Sequence, residues 1–304
     1  MPKTYRNFVL FNKYFGVKYF FLFILSSIYL QAQQDTLTTP PLFKTSYVIA
    51  GESTLFAVSM LALNRLWYQP FEHSTCHWFN DSKEWLQMDK AGHSYSTYQL
   101  SRLSYAFFSK TNLSPSRSII YGSLSAWAYV SAIECFDAKS TQWGASISDI
   151  AANTFGMFLF SSQQWFWQTQ HIIFKLSYHP TPFPQWRPTL LGKNFAEQII
   201  KDYNGQTYWL GSSPHVFLPS WPRWLMISIG YSANGLLGGH QNPSDSPPFL
   251  RQRQWFISLD IDFAHLPVKN KFIRTLCNVF NAIKIPFPTI GLQNQTIQIY
   301  GFYF

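Results

Sequence analysis

His179-Pro180-Thr181-Pro182-Phe183-Pro184, with Pro188 close behind, divides this chain of 304 residues. Proline fixes its backbone angle and has no N–H to donate, so no helix continues through this stretch. The chain before it reads as helix, and the chain after it reads as strand. Upstream, four segments have helical character: Ser46 to Trp67, Met88 to Phe108, Arg117 to Phe136 and Ser146 to Trp167. In the second, Tyr95, Tyr98, Leu103, Ala106 and Phe107 recur near helical spacing, among the polar Lys90, His93, Gln99 and Arg102. The third has no charge between Arg117 and Glu134 and is rich in Gly, Ser and Ala, which let helices approach closely.

Downstream, Phe256 to Phe263 alternates cleanly. Ile257, Leu259, Ile261 and Phe263 fall on one face, and Ser258, Asp260 and Asp262 on the other. Trp224 to Tyr231 and Thr296 to Phe304 also read as strands, and Asn242 to Pro248 as a flexible loop between strands. Three or four convincing strands fall short of the eight that a bacterial outer-membrane barrel needs. The expected fold class is α+β: a bundle of about four helices with a polar core, followed by a small antiparallel β-sheet region. The expected division is a signal peptide over 1–32, a helical bundle domain over 33–179, and a proline-rich linker with the β-rich region over 180–304.

The leader rests on Lys3, Arg6, Lys13 and Lys18, then an apolar run from Tyr19 to Leu30, then a small residue, Ala32, suited to cleavage. The run is too short to span a bilayer, which takes about 20 residues; an uncleaved anchor is the alternative. The chain carries a net charge of +9, and losing the leader's four cations leaves +5. The basic residues are scattered, so no nucleic-acid partner is expected. Charged residues make up only 12% and aromatics 19%. That balance points to a protein in contact with a membrane, while a mean hydropathy near zero argues against a chain made mostly of lipid-exposed helices. Expected partners are membrane lipid or other envelope proteins. An oxidising compartment permits one bridge among Cys76, Cys135 and Cys277, with one thiol left over.

Three helices each carry a polar pair. Asp89 and His93 are four apart, Glu134 and Asp137 three apart, Asp149 and Asn153 four apart, so each pair shares a helix face. If the helices pack together, one imidazole, four carboxylates and an amide converge. Such a group binds a divalent metal or moves a proton, and ionisable groups among apolar helices are costly unless they are paired. Ordinary structural roles compete. Asp89 can cap its helix, Ser146 and Asp149 fit a capping box, and His93 can be a satisfied core residue. No GxSxG, P-loop, GxGxxG or HExxH motif is present. No catalytic residue is assigned and no cofactor is expected, a divalent metal at His93, Glu134 and Asp137 being the alternative.

The stretch from Asp89 to Gly156 resembles a bacterial family labelled predicted periplasmic lipoprotein, also called YfiM-like, a domain of unknown function. The matching residues are Asp89-Lys90-x-x-His93, Glu134, Asp137, Trp143-Gly144-Ala145-Ser146 and Asp149-x-x-x-Asn153-x-x-Gly156. Asp202 to Leu210 and Ser258 to Asp262 fit longer members. A looser similarity of the Asp-Lys-x-x-His and Asp-x-x-x-Asn patterns is to VanZ-like membrane proteins. The resemblance implies an envelope location and a helical core, and no activity. Unlike a lipoprotein, the chain has no cysteine after its leader to accept a lipid. The expectation is a membrane-associated, periplasmic envelope protein acting as a non-catalytic structural or assembly component. The rival is an envelope enzyme or a ligand- or metal-binding bundle.

Overall fold

The computed structural model describes residues 41–64, 72–141 and 143–304; the expected leader lies outside them. Four long helices come first: α1 (Thr45–Leu63), α2 (Met88–Phe108), α3 (Pro115–Asp137) and α4 (Ile147–Trp167). Their starts are written locally. Ser114 accepts a hydrogen bond from the Arg117 N–H with Pro115 in the first turn, and Ser146 accepts one from the Asp149 N–H.

Helix α2 is the centre of the bundle, packed against both α3 and α4. Close approach depends on two glycines. A Cβ on Gly122 would lie 2.6 Å from the Tyr105 backbone, and one on Gly156 would lie 2.1 Å from the Ser94 carbonyl oxygen. Ser94 in turn donates to the Ala152 carbonyl across the same contact. Among the described helices, α3 alone is long and apolar enough to cross a membrane, but it lies packed against α2 and α4 with Glu134 buried near its end.

Six strands follow: β1 (Ile172–Tyr178), β2 (Gln206–Ser212), β3 (Leu225–Asn234), β4 (Gln252–Ile261), β5 (Phe287–Gln293) and β6 (Thr296–Tyr303). They form one antiparallel sheet in chain order. The fold is therefore α+β as expected, with more strands than the alternation pattern reveals. β1, β2 and β5 escape that pattern for identifiable reasons. β1 carries Lys175 at its centre, β2 sets Tyr208, Trp209 and Leu210 in succession without alternation, and β5 contains Pro288 and Gly291. β1 also precedes the proline-rich stretch, which itself folds into a 3-10 turn (Phe183–Gln185) and the short α5 (Pro188–Leu191). Two further helices decorate the sheet: α6 (Phe195–Lys201) and α7 (Lys271–Phe280). The loop after β3 is tied at Asn242, which accepts from the Leu237 N–H and donates to the carbonyls of Gly235 and Phe249. Cys76, Cys135 and Cys277 are unbridged.

Strand register decides what each face of the sheet carries. Leu210, Ile229, Ile257, Ile290 and Ile299 pair across five strands in one transverse row, and Tyr231, Trp255, Leu292 and Ile297 form the next row on the same face. The opposite face carries Ser228, Ser258 and Thr289 in one row and Thr207, Ser232, Gln254 and Gln293 in another. The sheet curls around this polar side, bringing the Tyr303 hydroxyl 3.3 Å from Thr207. Within the curl Lys175 meets Asp260 at 3.2 Å, both fully buried. Residues 282–284 run along the outer edge of β1 and hydrogen-bond to Leu176.

Helix α2 sits on the other, apolar face at the β1–β2 end. Tyr95 packs its ring 5.7 Å from Phe174 and 5.8 Å from Tyr208. One buried cluster joins Met88, Tyr98 and Phe160 of the helices to Phe174, Tyr208 and Leu237 of the sheet and its loops, so a single core serves both regions.

Candidate functional site

The segment ahead of α2 turns in an uncommon way. Trp85, Leu86 and Gln87 all have positive φ (47°, 51° and 65°), a left-handed conformation that non-glycine residues adopt singly and at a cost. The sheet side holds it there. The Trp85 N–H donates to the Gly239 carbonyl, Tyr231 donates to the Leu86 carbonyl, and Arg253 donates to the Gln87 side chain at 2.6 Å. This turn delivers Asp89, Lys90 and His93 to the space between α2, α3 and α4. Asp89 does not cap its helix, since the capping position is Gln87, which makes no side-chain capping bond.

His93 is fixed through one nitrogen and faces acids with the other. Its Nδ1 lies 3.0 Å from Asn153 Oδ1, and the Asn153 amide nitrogen donates to Ser131 at 3.3 Å. In that network Nδ1 carries the proton, leaving Nε2 turned toward carboxylates. Nε2 is 3.8 Å from Asp89 Oδ1, 3.8 Å from Asp149 Oδ1 and 3.9 Å from Glu134 Oε1. These distances are too long for hydrogen bonds.

Lys90 sits beside this group and contacts three carboxylates: Asp81 at 2.7 Å, Asp89 at 2.9 Å and Asp149 at 2.5 Å. Asp81 also accepts from Ser146 and Ser148. The capping box is only half made. Ser146 Oγ accepts from the Asp149 N–H at 3.1 Å, but the Ser146 N–H donates to Glu134 Oε2 at 3.0 Å instead of to Asp149. Glu134 thereby takes over the reciprocal half, and the Asp149 side chain turns toward Lys90. Glu134 Oε1 is buried without any hydrogen-bond partner, in a residue only 3% exposed. Asp89 Oδ1 accepts from the Tyr203 hydroxyl at 2.7 Å.

Asp89, His93, Asp137 and Asp149 line a cavity of about 630 Å³, with tyrosines 95, 203 and 208 on its walls. Asp137 thus shares the cavity, but the ion-pair distances of His93 are to Asp89, Glu134 and Asp149. Asp89, His93 and Asp149 place one ligand atom each within 4.8 Å of one another, a grouping able to hold a metal ion. It shares His93 with the alternative metal set read from sequence, His93, Glu134 and Asp137, and adds Asp89 and Asp149.

Burial drives the proton affinities apart. Glu134 is pushed up to about 7, chiefly by burial, against the pull of His93 and the Ser146 N–H. Burial, then the charge of Asp89, also pushes Asp149 up. At Asp81 burial opposes ionisation, but hydrogen bonds from Asp149, Lys90, Ser146 and Ser148 outweigh it and hold the carboxyl well below the usual range. At Asp89 burial is likewise outweighed, by His93 and Lys90. Burial and the adjacent Asp89 keep Tyr203 a protonated donor. The centre therefore balances excess negative charge with one ammonium and with protons.

Asp81, Lys90 and Tyr203 join the site without having been expected there from sequence. Lys90 lies inside the Asp-Lys-x-x-His pattern and Tyr203 in the run from Asp202 to Leu210. Asp81 stands in an irregular segment with no periodicity to mark it.

No curated protein and no solved structure matches the chain. A family model does match, over a segment covering less than a third of the chain, and its description supports a periplasmic, envelope location. Residues 76–161, the stretch that holds Asp81, Lys90, His93, Glu134, Asp149 and Asn153, match the model of the family described as predicted periplasmic lipoprotein (DUF2279).

Proposed function

We propose that this is a membrane-associated envelope protein whose helical bundle binds a divalent cation through Asp89, His93 and Asp149, with Glu134 as a further donor. The observation that carries the reading is the position of His93 Nε2, at 3.8–3.9 Å from three separate carboxylate oxygens. Ligand atoms about 2.0–2.1 Å from a tetrahedral ion lie roughly 3.3 Å from one another. A contraction of about half an ångström brings Nε2 to that separation from each of the three oxygens.

Three further features fit. Nδ1 is engaged by Asn153, which orients the ring and leaves Nε2 as the donor. Glu134 Oε1 is buried and unsatisfied, which is costly unless something positive approaches it. One imidazole with several carboxylates suits Zn²⁺, Mn²⁺ or Fe²⁺ better than Cu⁺. The bound ion would leave Lys90 to neutralise Asp81 and the outer oxygen of Asp89.

A purely structural role is favoured by one observation: Lys90 ties together the Asp81 loop, α2 and α4. Calorimetric titration of chelator-treated protein with Zn²⁺ and Mn²⁺ separates the two. The cation reading expects one equivalent bound, a raised melting temperature, and loss of both in His93→Ala with the fold retained. A chelated protein that takes up neither ion, and a His93→Ala variant that fails to fold, would leave the structural role standing.

A further inference from the structure

The sheet is built inside out for a protein surrounded by water. Antiparallel sheets with one wet face bury their apolar side and expose their polar side. Here β3–β6 do the reverse. Ser228, Ser258 and Asp260 are buried in the curl, while Ile229, Ile257, Ile290 and Ile299 stand on the outside, Ile299 at 81% exposure. Water does not reward that arrangement, but hydrocarbon does, because lipid solvates apolar side chains and leaves polar groups to satisfy one another inside. The outer face is also continuous with an established contact. At its β1–β2 end the same face is covered by Tyr95 of α2, and the cover stops where the isoleucine rows begin.

Charge and the helix between β4 and β5 identify the occupant. α7 is amphipathic, and its apolar residues Phe272, Ile273, Leu276, Val279 and Phe280 are exposed. Residues 263–304 contain no aspartate or glutamate and four lysines and arginines, of which Lys284 is buried over the Trp209 ring. A helix with a bare apolar stripe in a cationic, acid-free segment is the pattern of a membrane-interface element facing anionic headgroups. A second protein chain or a second copy would account for an apolar patch, but not for a run of residues 263–304 that carries cations and no acid.

We infer that the outer face of β3–β6, together with α7, is a lipid-binding surface that seats the protein on an anionic bilayer. This rests on the membrane association in the proposed function and assigns it a surface. The apolar rows enter the acyl boundary, and Arg274 engages headgroup phosphate.

Vesicle flotation of the full chain tests this. Vesicles of phosphatidylglycerol and phosphatidylethanolamine are compared with phosphatidylcholine alone. The protein should float with the anionic vesicles. The triple variant Ile257→Gln, Ile290→Gln, Ile299→Gln should lose about tenfold in bound fraction with an unchanged melting temperature. Arg274→Glu, at an exposed site outside the sheet, should weaken binding to the anionic vesicles alone and supplies a variant that does not disturb strand packing. Wild-type flotation undiminished in both variants overturns this surface and leaves membrane association intact. Absence of flotation by the wild-type chain overturns both. A dimer abolished by the triple variant, with no vesicle binding, assigns the face to a second copy and likewise overturns the inference.

Discussion

Glu134 shows how much one side chain concentrates. One oxygen caps the start of α4 through the Ser146 N–H, and the other is buried unsatisfied beside His93. Its folded carboxyl titrates near 7 against an ordinary value of 4.5, burial being the main cause. The folded state therefore holds this proton more tightly than the unfolded chain. Below about pH 4.5 both states are protonated and nothing is lost. As pH rises from there to about 7, the unfolded chain ionises first and stability falls, by about 3 kcal/mol once the folded group has ionised too. In chelator-treated protein, Glu134→Gln should remove that slope, so the variant gains on wild type between pH 5 and pH 8 in urea denaturation. Parallel stability curves would show that the buried carboxyl is already neutralised by a neighbour. At this scale the sequence is informative where helical spacing applies. Asp89 with His93, and Asp149 with Asn153, are pairs because side chains four apart share a face. Asp81 is illegible, since its place beside Lys90 depends on an irregular loop whose path only the packed structure defines.

The helices carry their own message in their glycines and serines. The limits of α2, α3 and α4 are readable from sequence to within about two residues, α2 from its apolar spacing alone and α3 and α4 with the added mark of a serine cap. What periodicity does not give is the distance between helices. That is set at Gly122 and Gly156, where a neighbour's backbone occupies the space of a side chain. Gly156→Ala would drive a methyl group into the Ser94 carbonyl and force α4 away from α2. It should cost roughly 1–3 kcal/mol in stability. It should also weaken cation binding, since Asp149 and Asn153 ride on α4 and His93 on α2. A variant that melts lower but titrates with unchanged affinity would separate packing from site geometry. The strands are less legible for the same reason that makes them informative. A half-buried strand is recognised by apolar residues facing inward, and the pattern is equally periodic when they face outward. Alternation in Phe256 to Phe263 locates a strand without telling which side water would see.

For the whole molecule, the expectation of membrane contact draws on low charge and abundant aromatics, many of which, such as Tyr98, Phe160, Trp209 and Phe256, lie in the core. One core runs from the bundle into the sheet, so the proposed cation centre and the outward isoleucine rows belong to a single body. If that body rests on a bilayer through β3–β6, the cavity beside His93 is held in a defined attitude to the lipid. Protein on anionic vesicles should then show changed accessibility at the cavity mouth, measurable as altered labelling of an engineered Asp137→Cys site in a background lacking the native cysteines. Labelling that is indifferent to vesicles would mean that the two features act separately.

The left-handed turn at Trp85–Gln87 has a practical corollary. Those three residues are gripped by Gly239, Tyr231 and Arg253, all from the far side of the prolines, and Asp89 is steadied by Tyr203 from the same side. The carboxyl-terminal part acts as the clamp on a sprung hinge pin. A polypeptide stopped at residue 179 would retain every residue of the Asp-Lys-x-x-His and Asp-x-x-x-Asn patterns and should still fail to take up the ion, because nothing would keep the pin bent.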